Sequence, residues 1–167
     1  MSSITLKTIA SFVILVLSQV FIFNQMNLLG YINPMLYVLF LVHYRFDQNQ
    51  TLFIFIGFLL GFFIDFMSQT GGAHIIASLS ASFFRPFIIR NAFGITAELP
   101  KSFQSDSRVL NKIVFLLFFI PLHHLIYFIV VYFSWDAFSL ILKSTALTAF
   151  FSLLLIVIIS SLFKSTK

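Results

Sequence analysis

The chain has no cysteine. Disulfides, thiolate metal sites and a cysteine nucleophile are therefore excluded. Charge is scarce too: 9% of the 167 residues are charged, where an ordinary soluble domain has about 25%. Only five residues are acidic, and none stand as paired carboxylates at a catalytic spacing. There is no GxSxG elbow, phosphate loop, HExxH helix or dinucleotide fingerprint. The net charge of +5 points to membrane orientation before it points to nucleic acid, because basic residues in an apolar chain mark its cytoplasmic side.

What fills the chain is apolar. Hydrophobic residues make up 60%, with 25 phenylalanines and a mean hydropathy of +1.05. A span needs about 20 apolar residues to cross about 30 Å of hydrocarbon. Six candidates follow: residues 4–23, 32–44, 51–67, 73–89, 113–133 and 137–163. The second is short. The sixth is longer than one straight span requires, so its first turns, up to Lys143, are expected in the interface. Lys7 ahead of the first apolar run suggests a signal peptide, but no small-x-small cleavage site follows, and the segment is read as a retained span.

The basic residues support the count. With six spans, Lys7, Arg45, Arg90, Lys101, Arg108, Lys112, Lys164 and Lys167 share one side, and Arg85 lies close enough to snorkel to it. The opposite loops carry no Lys or Arg, and Lys143 is the single exception. The expected fold is thus an all-α, polytopic membrane protein, one bundle of six transmembrane helices with both termini cytoplasmic and a cytoplasmic loop over 90–112.

The polar residues inside the spans carry the remaining information. Gly57, Gly61 and Asp65 are four apart and drift by only about 40° per step, so they share one helix face. The glycines form a GxxxG surface for a close helix neighbour, and Gly72 closes the motif. Asp65 is either an acid paired across helices, with His74 its nearest partner in sequence, or a helix cap at the interface. His74, Ser78, Ala81 and Arg85 form a stripe on the fourth span, either the wall of a cavity or a small-residue packing face. His123 and His124 are about 100° apart on their helix and so cannot ligate one metal as an i, i+4 pair can; hydrogen bonding between helices, with Pro121 loosening the backbone, is the simpler reading. Gln19 reads as interhelical glue. Asn33 and Pro34 read as the N-cap and first residue of the second helix.

With this topology and these residues, the chain resembles MreD, the rod-shape-determining membrane protein family. The resemblance covers most of the chain: six spans, Gln19 in the first, Pro34 opening the second, Gly57-Gly61-Asp65-Gly72 in order, and an RPF element at Arg85, Pro86 and Phe87. It implies a non-enzymatic role without a cofactor, in the inner membrane, beside an MreC-like protein and elongation-complex proteins of the MreB, RodA and penicillin-binding transpeptidase types. It also implies a likeness to the substrate-binding subunit fold of energy-coupling-factor transporters. That likeness supplies an alternative, a solute-binding transporter subunit with a polar cavity lined by Gln19, His74, Ser78, Arg85 and His124. An intramembrane enzyme using Asp65 and the histidines is a third reading. The Gly57-Gly61-Asp65 face is expected to serve packing, inside the bundle, toward a partner or in a homodimer. Membrane lipids are expected contacts; nucleic acid is not.

Overall fold

Apolar runs interrupted by short polar turns give a chain of helices. The computed structural model describes residues 3–28, 32–45, 47, 49–94, 101–104 and 108–162. Six α-helices follow in order: α1 (Ser3–Phe21), α2 (Val38–His43), α3 (Gln50–Ser68), α4 (Ala73–Phe93), α5 (Val109–Tyr132) and α6 (Phe138–Leu162). A short 3-10 turn, Phe23–Gln25, follows α1. Among the described residues there is no strand, only one isolated bridge between Leu28 and Ile32.

Four stretches are long and apolar enough to cross a membrane: Leu6–Gln25, Gln50–Ser68, Val109–Tyr132 and Phe138–Leu162. Only 22–33% of the most apolar part of each is buried inside the protein. The rest faces outward, with Phe55, Phe62, Phe66, Phe118 and Phe150 all exposed. Such a surface is at home in lipid, where every backbone group is satisfied within the helix.

α4 is different. It packs against α3 on one side and α5 on the other, and eleven of its 21 residues are buried, His74, Ser78, Ser82 and Arg85 among them. Its polarity is directed inward, so it lacks the apolar signature of its neighbours. Pro86 lies within it and removes the N–H that Ser82 O would accept. Gln50, at the start of α3, supplies the substitute: its Nε2 donates to Ser82 O at 2.8 Å.

Contacts at the helix ends define the passes. At one end, Asn24 meets Ser68 at 2.8 Å, Asp65 meets the start of α4, and Tyr132 lies 3.4 Å from Ser144. At the other end, His43 bonds Ser160 at 2.9 Å and Arg108 donates to Phe93 O at 3.3 Å. Residues 32–43 run from the first end to the second, so the chain passes through the bundle six times. The described basic residues gather toward the second end, except Lys143.

The second pass is not a full helix. Expected from Asn33 and Pro34 onward, the α-helix starts only at Val38 and has six residues. Asn33 does not cap it; its side chain accepts from Asn27 N–H at 2.8 Å. Six helical residues rise about 9 Å, and the six before them, of which Leu36 and Tyr37 form a turn, add less than the roughly 20 Å of a fully extended segment. The pass is also the centre of the core: Ile32, Tyr37, Val38, Leu41 and Val42 are wholly buried, and Phe53, Leu60, Phe119, Ile120 and Ile156 are buried with them. The polar loop is shorter than expected, because α4 continues to Phe93 and α5 begins at Val109. Phe103 anchors it, buried and stacked on His43 at a centroid distance of 5.6 Å.

Candidate functional site

The glycine face of α3 lies on α4. A Cβ at Gly61 would stand 2.5 Å from His74 O and 2.6 Å from Ile75 Cα, so only glycine lets the two backbones approach this closely. Gly57 faces Ser78 and Ser82 in the same way. One turn further on, Asp65 is 6% exposed and its carboxylate accepts from the N–H groups of His74 (3.2 Å) and Ile75 (2.7 Å) and from Thr70 Oγ1 (2.5 Å). The residue in the N-cap position of α4 is Gly72, which has no side chain to offer. Asp65 therefore caps the next helix from across the turn, and its charge sits at the positive end of the α4 dipole. Of the readings of Asp65, the pairing across helices with His74 and the helix cap meet in one contact, made through the His74 backbone N–H. One expectation needs correction. Gly72 is not on the packing face; with φ of +92° and nothing within 4 Å of its would-be Cβ, it serves the turn.

Several other buried polar side chains converge on residues 34–37. Non-helical backbone at this depth has N–H and C=O groups without intrahelical partners, and each must find one inside the protein. Gln19 of α1 supplies two: its Nε2 donates to Pro34 O at 3.1 Å and its Oε1 accepts from Tyr37 N at 3.3 Å. Ser152 of α6 accepts from Met35 N at 2.8 Å. His124 of α5 fixes that serine. Its Nδ1 lies 2.8 Å from Ile120 O and must donate to it, so Nε2 of the neutral ring accepts from Ser152 Oγ at 3.0 Å. Tyr37 completes the arrangement. Its hydroxyl lies 2.9 Å from both His74 Nδ1 and His123 Nε2, tying α2's lead-in to α4 and α5 at once. Ser78 is wholly buried beside this cluster.

Arg85 was expected to snorkel to the interface, yet it is only 3% exposed. Its guanidinium donates to Val42 O and Tyr44 O and lies 4.3 Å from the centroid of Phe53. It thereby closes the C-terminal end of α2, where a cation complements the carbonyl ends. In the loop beyond, Asp47 accepts both hydrogen bonds of a forked contact with Arg45, which raises the Arg45 pKa.

Of the five residues read as cavity wall, Gln19, Arg85 and His124 bond to backbone, His74 bonds to the Tyr37 hydroxyl, and Ser78 lies buried beside it. Gln19 and His124 hold the start of the second pass, Arg85 holds its end, and His74 and Ser78 lie along its middle. Among the described residues no group of three metal-ligating side chains comes together. The Ser152–His124 pair has the spacing of a nucleophile and base, but both are wholly buried and Ser152 already accepts a backbone N–H. His74 also borders an opening, a polar vestibule of about 320 Å³ at the first end, with Asn24, Asn33, Thr70 and Tyr127 around it.

Sequence reasoning missed Tyr37, Ser152 and Gln50. A signal existed for Ser152: Ser144, Thr148 and Ser152 recur every four residues and are all buried on α6. Tyr37 carried none beyond being an aromatic with a polar tip in an apolar run. No known protein-family model, curated protein or solved structure matches the chain.

Proposed function

We propose that the protein is an MreD-like, non-enzymatic component of the bacterial elongation complex. In this reading it lies in the inner membrane as six spans with both termini cytoplasmic. It binds an MreC-like protein and supports lateral peptidoglycan synthesis with MreB-, RodA- and transpeptidase-type partners. One observation carries the choice of a scaffold over a catalyst or carrier: Gln19, Ser152 and Arg85 bond the backbone of the broken second pass, and Asp65 bonds that of the α3–α4 turn. A catalyst or carrier keeps such groups convergent on an open space. The clustering of basic residues at one end of the bundle supports the orientation.

The vestibule beside His74 favours a second reading, a solute-binding transporter subunit, because amide, hydroxyl and imidazole groups surround one opening. Affinity purification of the tagged protein from native membranes in mild detergent, followed by mass spectrometry, separates the two. Recovery of an MreC-like protein with wall-synthesis enzymes is expected. Recovery of a pair of ATPases with a coupling membrane subunit would favour the transporter instead.

A further inference from the structure

At the basic end of the bundle a groove of about 610 Å³ opens beside α1, the end of α2 and the start of α3. Its rim is polar and positively charged, with Lys7, Thr8, Arg45 and Gln104; its wall is apolar, with Phe40 and Ile56. Ile56 is six residues into α3 from Gln50, about 9 Å deeper than the rim at 1.5 Å per residue. Charge at the surface and hydrocarbon beneath is the order of groups in a membrane lipid. A free phosphate would use only the rim.

The sign of the charge decides which lipid. Among the described residues no acid forms an ion pair with Lys7, and the one acid beside Arg45, Asp47, is engaged by that arginine at 2.5 Å. The groove is lined by Lys7 and Arg45 and not by Asp47, so its rim carries an excess of positive charge that favours an anionic over a zwitterionic headgroup. Arg45 and Asp47 side chains are 40% and 37% exposed, so the arginine can reach a second anion from the same position. Basic pockets between helices on the cytoplasmic side are a recurrent means of holding anionic headgroups.

We propose that this groove binds one anionic phospholipid of the inner leaflet, its phosphodiester between Lys7 and Arg45 and an acyl chain along Phe40 and Ile56. The proposal rests on the membrane orientation given above. The test uses the full chain purified in mild detergent and mixed with equal amounts of phosphatidylglycerol and phosphatidylcholine of the same acyl chains. Native mass spectrometry reads which lipid is retained. Phosphatidylglycerol should be retained in preference. Lys7→Gln should lower that preference about fivefold, the effect of one cation near an anionic lipid, and Lys7→Arg should keep it. Lys7 is exposed, so these variants leave the packing intact. Equal retention of the two lipids, or a preference unchanged in both Lys7→Gln and Arg45→Gln, would overturn the proposal, as would displacement of the lipid by millimolar inorganic phosphate. The orientation is tested separately. The chain has no cysteine, so Gln104→Cys supplies a single thiol, which should react with an impermeant maleimide only from the cytoplasmic side. Labelling from outside would overturn the orientation and leave the lipid measurement in detergent intact.

Discussion

Replacing Gly61 with alanine tests the α3–α4 contact with a single methyl group. The added Cβ would stand 2.5 Å from His74 O, 2.6 Å from Ile75 Cα and 2.7 Å from His74 C. All three atoms are backbone, so no rotamer change relieves the overlap. Carbon contacts settle near 3.5–4.0 Å, and α3 and α4 must part locally by about 1 Å. Overpacking of this kind costs about 1–3 kcal/mol. The separation also draws Asp65 away from the N–H groups of His74 and Ile75, now 3.2 and 2.7 Å distant, and weakening that cap costs about 1 kcal/mol. Against this, alanine is favoured over glycine inside a helix by about 1 kcal/mol. The net expectation is a loss of about 1–3 kcal/mol, and for a protein of this size a fall in Tm of roughly 2–12 °C. The assay is the fraction remaining monodisperse on size exclusion after heating in detergent. Gly57→Ala is the internal comparison. Its Cβ meets chiefly Ser82 Oγ, a side-chain atom that can rotate away, so its fall should be smaller. A Gly61→Ala protein as stable as wild type, or more so, would mean that helix propensity alone governs the site and would refute the packing argument.

Three further variants probe the buried polar groups in the same assay. Tyr37→Phe removes the hydroxyl shared by His74 and His123 and should cost about 1–3 kcal/mol, since two buried imidazole nitrogens lose their partner; an unchanged Tm would show that the hydroxyl holds nothing. Asp65→Asn keeps one acceptor oxygen but loses the charge at the α4 N-terminus and should cost about 1 kcal/mol, with Asp65→Ala worse. Equal stability of all three forms would remove the cap. Arg85→Lys keeps the charge but not the planar fork that reaches Val42 O and Tyr44 O, and a drop of about 1–3 kcal/mol is expected; full stability with lysine would show that charge alone suffices.

The legible part of the fold was the part set by local spacing. Glycines four apart declare a close helix neighbour, and the run from Gln50 to Ser68 left no doubt about α3. The side-chain roles were less legible where partners are distant in sequence. Nothing near Pro34 says that its carbonyl will be met by Gln19 and its neighbour's N–H by Ser152, 117 residues from Met35. Read locally, Asn33-Pro34 looks like a helix start. The structure instead keeps four more residues out of the helix, because other helices supply the hydrogen bonds that a helix would have made. Arg85 misled for the same reason. A lone arginine near a span end normally reaches water, and only the C-terminal carbonyls of α2, brought beside it by tertiary packing, give it an inward destination. Asp65 was read with the right neighbour, because proximity to His74 followed from the short turn; that the contact runs through the backbone N–H while the ring Nδ1 meets Tyr37 depends on a residue distant in sequence.

The most direct test of the account is hydrogen exchange of the Met35 and Tyr37 amides in the detergent-solubilised protein, followed by mass spectrometry of the peptide covering 32–37. If Ser152 and Gln19 hold this non-helical backbone in the core, both amides exchange as slowly as those of α3 in the wild type. They then become fast in Ser152→Ala combined with Gln19→Leu, while α3 stays protected. Exchange of these amides in the wild type at the rate of the open turn at residues 69–72 would contradict the account, because the buried polar side chains would then be free for another use.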